Sequence, residues 1–100
     1  MIIYNVTVKI DLDVHDEWLH WMKHVHIPEV MLTGKFEESK ILRLMEDNSS
    51  EGITYAIQYR CKTMGEYLDY QENHAQPLQN DHTEKYKGKF VAFRTLLKEV

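Results

Sequence analysis

The apolar period of this chain switches from two to three-and-four and back in an order that few folds can use. From Ile2 to Ile10 it is two, with Ile2, Tyr4, Val6, Val8 and Ile10 on one face and Ile3, Asn5, Thr7 and Lys9 on the other, which is a half-buried strand. Val14, Trp18, Trp21, Met22 and Val25 then recur at spacings of three and four, one broad apolar face of a helix. Phe36 to Met45 and Ile53 to Cys61 read as two strands, a second helix starts near Met64, and Lys89 to Leu97 closes the chain as a strand. The order is βαββαβ.

Local signals set the boundaries. Asp13 stands where an N-cap belongs, with Asp16 near the positive end of the helix dipole. Pro28 lacks a donor and biases Ile27 away from helix, so a break or kink is expected there, with Gly34 as a left-handed stop. Glu46 to Gly52, with Asp47, Asn48, Ser49 and Ser50, is a polar loop joining an antiparallel pair. Thr63 and Glu66 form a capping box, and the face Tyr67, Tyr70, His74, Leu78, His82, Tyr86 is interrupted by Pro77 and closed by Gly88. These elements predict an α+β, ferredoxin-like domain spanning residues 1–100: a four-stranded antiparallel sheet in the order 4-1-3-2, with two helices on one face.

Composition narrows the partners. At 43% hydrophobic and 28% charged, 100 residues supply one core. A net charge of -4 with scattered Lys and Arg argues against nucleic acid. No apolar run approaches the roughly 20 residues of a membrane span, and Met1 to Tyr4 enter a strand without the features of a secretory signal. The single cysteine, Cys61, forms no internal disulfide and fits a reducing cytoplasm. Both faces of the sheet are partly apolar or made of small uncharged residues: the second face carries Ile3, Asn5, Thr7 and Lys9 in the first strand and Thr54, Ala56, Gln58 and Arg60 in the third, and the last strand has Val91 and Phe93 opposite Phe90 and Ala92. A second copy packed sheet to sheet about a two-fold axis would cover the outer face, so a homodimer is expected.

The segments Ile2-Ile3-Tyr4-Asn5-Val6-Thr7-Val8, Trp18-Leu19-His20-Trp21-Met22, His26-Ile27-Pro28-Glu29-Val30, Thr33-Gly34-Lys35-Phe36 and Gly88-Lys89-Phe90-Val91-Ala92-Phe93-Arg94-Thr95 together resemble an uncharacterised bacterial family, domain of unknown function 4286. The resemblance covers nearly the whole chain and implies a ferredoxin-like or dimeric α+β barrel fold with no established activity. It also implies distant kinship with barrels of the antibiotic-biosynthesis monooxygenase kind, including haem-degrading enzymes that use an Asn on the first strand, a Trp on the third and a His on the second helix. Asn5 with His74 or His82 matches part of that set, whereas the third strand here has no Trp.

Six histidines supply the remaining candidates. Asp16, His20 and His24 lie one turn apart along a helix and form a weak metal stripe, beside Glu17 and Lys23. His26, His74 and His82 fall on or near apolar faces, where an imidazole serves as general acid, base or cofactor ligand, or is simply hydrogen-bonded at the core's edge. With Asn5, Trp21 and Tyr55 they make the candidate pocket, which suits a small apolar molecule. No cofactor is expected, with haem or a metal left open. Two functions follow: a homodimeric binding or assembly module, or a cofactor-light or haem-dependent monooxygenase-like enzyme. An open pocket with a His or Tyr pointing into it discriminates between them.

Overall fold

The computed structural model describes residues 1–45 and 50–100. Strands β1 (Ile2–Asp11), β2 (Glu38–Arg43), β3 (Gly52–Cys61) and β4 (Phe90–Lys98) form one antiparallel sheet in the order β2-β3-β1-β4. This is the expected order. Val6 is the hub of the register, opposite Ile57 on one side and Arg94 on the other. Tyr4, Val8 and Ile10 of β1 and Tyr55, Ile57, Tyr59 and Cys61 of β3 are buried beneath the helices. Strand β2 is shorter than Phe36 to Met45. Phe36 is buried but lies outside the ladder, packed against Tyr4 and Tyr59 with ring centroids 6.2 and 5.2 Å away. Asp47, Asn48 and Ser49 of the expected loop, with Glu46, lie outside the described residues.

The first helical stretch departs from expectation in an instructive way. A 3-10 turn (Leu12–Val14) leads into α1 (His15–Trp21), and Asp13 is not the N-cap: it sits inside that turn, where its carboxylate accepts from Lys89 Nζ at 2.7 Å. Pro28 does not break the helix. Its ring would collide with the carbonyl four residues back, and the chain answers with a π-helical turn over Met22–His26, closed by the Ile27 amide donating to Met22 O, before continuing as α2 (Ile27–Met31). A π turn holds one extra residue. The buried stripe therefore runs Trp18, Met22, Ile27, Val30; Val25, expected on the apolar face, is exposed. His26 turns inward in its place.

The second helical stretch divides into α3 (Met64–Asn73) and α4 (Ala75–Lys85). Thr63 Oγ1 accepts from the Glu66 amide at 3.2 Å, as a cap should. The break falls at His74 (φ -130°, ψ -33°), not at Pro77. Pro77 sits in the first turn of α4, where its missing donor is not needed. Gly34 and Gly88, both at φ +77°, end the two helical stretches, a conformation that costs glycine little.

Candidate functional site

A narrow cavity of about 50 Å3 lies between the sheet and the helices. Its floor is the helix-facing side of β1, β3 and β4, including Tyr4, Val6, Val8, Ile57, Phe90 and Ala92, and its roof is Met22, His26, Val30, Leu78 and His82. An engineered cavity that takes benzene measures about 150 Å3. In this conformation the space therefore suits a few small atoms and excludes an aromatic ring.

The two imidazoles are its most distinctive groups. Trp18 Nε1 donates to His82 Nε2 at 2.9 Å, so that nitrogen carries no proton and His82 is uncharged. The His26 ring lies 5.8 Å from that of His82, and its buried Nδ1 has no hydrogen-bond partner. Burial lowers His26 from 6.5 to about 4, against the pull of Asp81. Burial likewise lowers His82 to about 4, with the neighbouring His26 and Arg94 adding to the effect. Trp21 stacks on His26 at 4.9 Å, and Phe90 meets His82 edge-on at 4.4 Å, so both rings are held by aromatic walls.

A second polar cluster lines the same cavity. Arg94 Nε donates to Tyr4 Oη at 3.0 Å, and Tyr59 and Tyr70 stand beside Tyr4 with ring centroids 6.0 and 5.9 Å away. Burial pushes the Tyr59 and Tyr70 hydroxyls well above the usual phenol range, so they stay protonated. Arg94 is exposed, which puts it at the cavity's rim with Thr83.

Of the six candidates, the structure brings only His26 and His82 together in the cavity, with Trp21 packed behind them. Asn5 faces the other side of the sheet, where Nδ2 donates to Thr7 Oγ1 at 3.1 Å, because it alternates out of phase with Tyr4 and Val6. Tyr55 lies under α1, its hydroxyl in a 2.7 Å hydrogen bond with His15 Nε2. His74 occupies the joint between α3 and α4, stacked on Tyr70 at 6.3 Å. The partial haem-enzyme set of Asn5 with His74 or His82 is therefore not assembled. A haem does not fit either: pockets for ligands of such size run to hundreds of Å3, against about 50 Å3 here. His20 and His24 are exposed with rings 4.4 Å apart, but Asp16 binds His15 Nδ1 at 2.8 Å instead. Among the described residues no group of three or more His, Cys, Asp or Glu is placed to hold a metal ion. Arg94 is a site residue that candidate selection missed, while Tyr4, Tyr59 and Tyr70 line the cavity between helices and sheet. The signal for Arg94 was present, since it shares strand parity with Phe90 and Ala92.

The sheet order, the helical layer and this helix–sheet cavity define a ferredoxin-like α+β domain. The chain belongs to the family described as Domain of unknown function (DUF4286), whose model matches residues 1–100. No curated protein matches the chain. Among solved structures it is similar to a dimeric ferredoxin-like protein from an uncultured marine organism, at TM-score 0.71 and 12% identity over 100% of this chain and 95% of that one. HapK from Hahella chejuensis gives TM-score 0.71 and 8% identity over 100% and 93%. SnoaB, a cofactor-independent oxygenase from Streptomyces nogalater, gives 0.63 and 10% over 98% and 92%. At these identities the likeness is one of fold. No helix among the described residues is long and apolar enough to cross a membrane.

Proposed function

We propose that the chain works as a homodimer packed sheet against sheet, a small binding module whose helix–sheet cavities lie on the sides away from the seam. The observation that carries this is the uncovered face of the sheet. Val91 and Phe93 are 67% and 63% exposed there, and Leu42, Leu44 and Leu97 are exposed with them. Asn5 and Thr7 pair with each other on the same face and add no charge to its centre. A band of this kind marks an interaction surface, and a second copy is its self-complementary partner. The dimeric ferredoxin-like neighbour supports the reading. The lone buried Cys61 supports a reducing, cytoplasmic setting.

Phe93→Asp tests it. A charge at the seam is expected to weaken dimerisation by about 100-fold, read by sedimentation velocity, with unchanged circular dichroism because Phe93 lies outside the core. An unchanged dimer in that variant would move the interface elsewhere.

A second reading, an oxygenase-like enzyme for a small apolar molecule, is favoured by the unpartnered Nδ1 of His26 beside a second uncharged imidazole. The free Nδ1 of His26 is an acceptor for a hydrogen bond from an O–H of a guest, and because burial lowers His26 to about 4 only a strongly acidic guest gives up its proton to it. The 50 Å3 volume ranks it second, since a ring-sized substrate requires α4 to move off the sheet. Oxygen uptake with small phenols and 1,3-diketones, lost in His26→Phe, would bring it forward. Absence of uptake across that panel removes it.

A further inference from the structure

The cavity has a charged rim at Arg94 and an uncharged interior in which Val6, Val8, Leu78 and Ala92 stand beside two neutral imidazoles and the tyrosine hydroxyls, and that asymmetry specifies a ligand. Arg94 spends its Nε on Tyr4 Oη, which fixes the plane of the guanidinium. Among the described residues no carboxylate is paired with its terminal nitrogens, whereas Arg60 is held by Glu99 and Glu38, and Lys35 by Asp69 and Glu66. An exposed guanidinium with its outer edge open is a preorganised fork for a planar anion. Thr83 and Gln79, one turn apart on α4, line the same opening and offer hydroxyl and amide donors. Behind them the walls are Val6, Val8, Leu78 and Ala92.

Resting on the reading of this cavity as a binding site, we propose that it takes a short-chain monocarboxylate, the carboxylate on the Arg94 fork and the alkyl chain inside. The volume sets the chain length. One third of the space that holds benzene accommodates roughly two or three carbons, so propionate and butyrate fit, while hexanoate and benzoate are too large. Neutral His26 and His82, which line the same cavity, put no positive charge in competition with Arg94. They also leave the interior without an anion that would repel the ligand. The tyrosine hydroxyls, kept protonated by burial, are donors facing the same space.

Titration calorimetry of the intact protein with sodium acetate, propionate, butyrate, hexanoate and benzoate, and with propionamide and 1-propanol, tests the assignment. Affinity is expected to peak at propionate or butyrate, with propionamide and propanol weaker by about tenfold or more. Arg94→Gln is expected to lose at least that factor for propionate, and Arg94→Lys to recover part of it as a point charge without the fork. Arg94 is exposed, so both variants retain the fold, checked by thermal unfolding. Propionamide binding as tightly as propionate, or Arg94→Gln binding propionate unchanged, would overturn the carboxylate assignment while leaving the cavity as a site for neutral guests. Failure of all seven probes to bind at millimolar concentration would overturn both.

Discussion

Trp18→Ala is expected to lower the free energy of unfolding by about 3–5 kcal/mol, the range for deleting a large buried aromatic side chain. Trp18 has no exposed surface, packs against Tyr55 with ring centroids 5.3 Å apart, and donates its indole N–H to His82. Its loss opens a cavity beneath α1 and leaves the His82 nitrogen buried without its donor. Trp18→Phe separates these contributions: the ring volume is partly kept, and the missing hydrogen bond costs about 1–3 kcal/mol. Trp21 is the lesser anchor, being half-buried against His26 and Tyr86, so Trp21→Ala falls below Trp18→Ala in the same urea titration. The reverse ranking would mean that the helix is rotated from the position described.

Acidification is expected to destabilise the protein steeply over a narrow window. In the folded chain His26 and His82 take up protons only at about pH 4, whereas in the unfolded chain an imidazole does so at about 6.5. Between these values the unfolded state binds more protons, so stability falls as the pH falls from about 6.5 toward 4 and is level, as far as these groups go, above that window. Each ring contributes roughly 3 kcal/mol at the acid end. The rings lie 5.8 Å apart, so charging the first opposes charging the second. Urea midpoints measured across the window should begin to drop near pH 6.5, above the range where ordinary carboxylates titrate, and His82→Gln should show about half the drop. A midpoint that stays flat until carboxylates titrate would show that the two rings are open to water in the folded state.

The parts of this architecture legible in the sequence are those where one local rule acts alone. Strand β1 keeps Ile2, Tyr4, Val6, Val8 and Ile10 on one face over nine residues, and the Thr63 cap uses a four-residue signature that nothing nearby contests. Where two rules meet, the outcome depends on how the backbone settles. Pro28 could break, kink or widen the helix, and only the widening, with its extra residue in Met22–His26, turns Val25 out and His26 in. In the same way Pro77 is tolerated in a first helical turn, so the interruption moves to His74 and takes that histidine away from the cavity. Asn5 is a different lesson. Its strand parity already put it opposite Tyr4 and Val6, and only the likeness to haem-degrading enzymes made it a pocket candidate. The Trp18–His82 hydrogen bond joins residues 64 positions apart, and no local pattern encodes such a pair.

The central claim is that the open sheet face is the seam of a homodimer, and native mass spectrometry of the purified wild-type protein at micromolar concentration tests it most directly. The expected spectrum is dominated by a species of twice the 12.0 kDa chain mass. A spectrum containing only the single chain would contradict it, and would leave Val91, Phe93 and the leucines around them as a surface for some other partner.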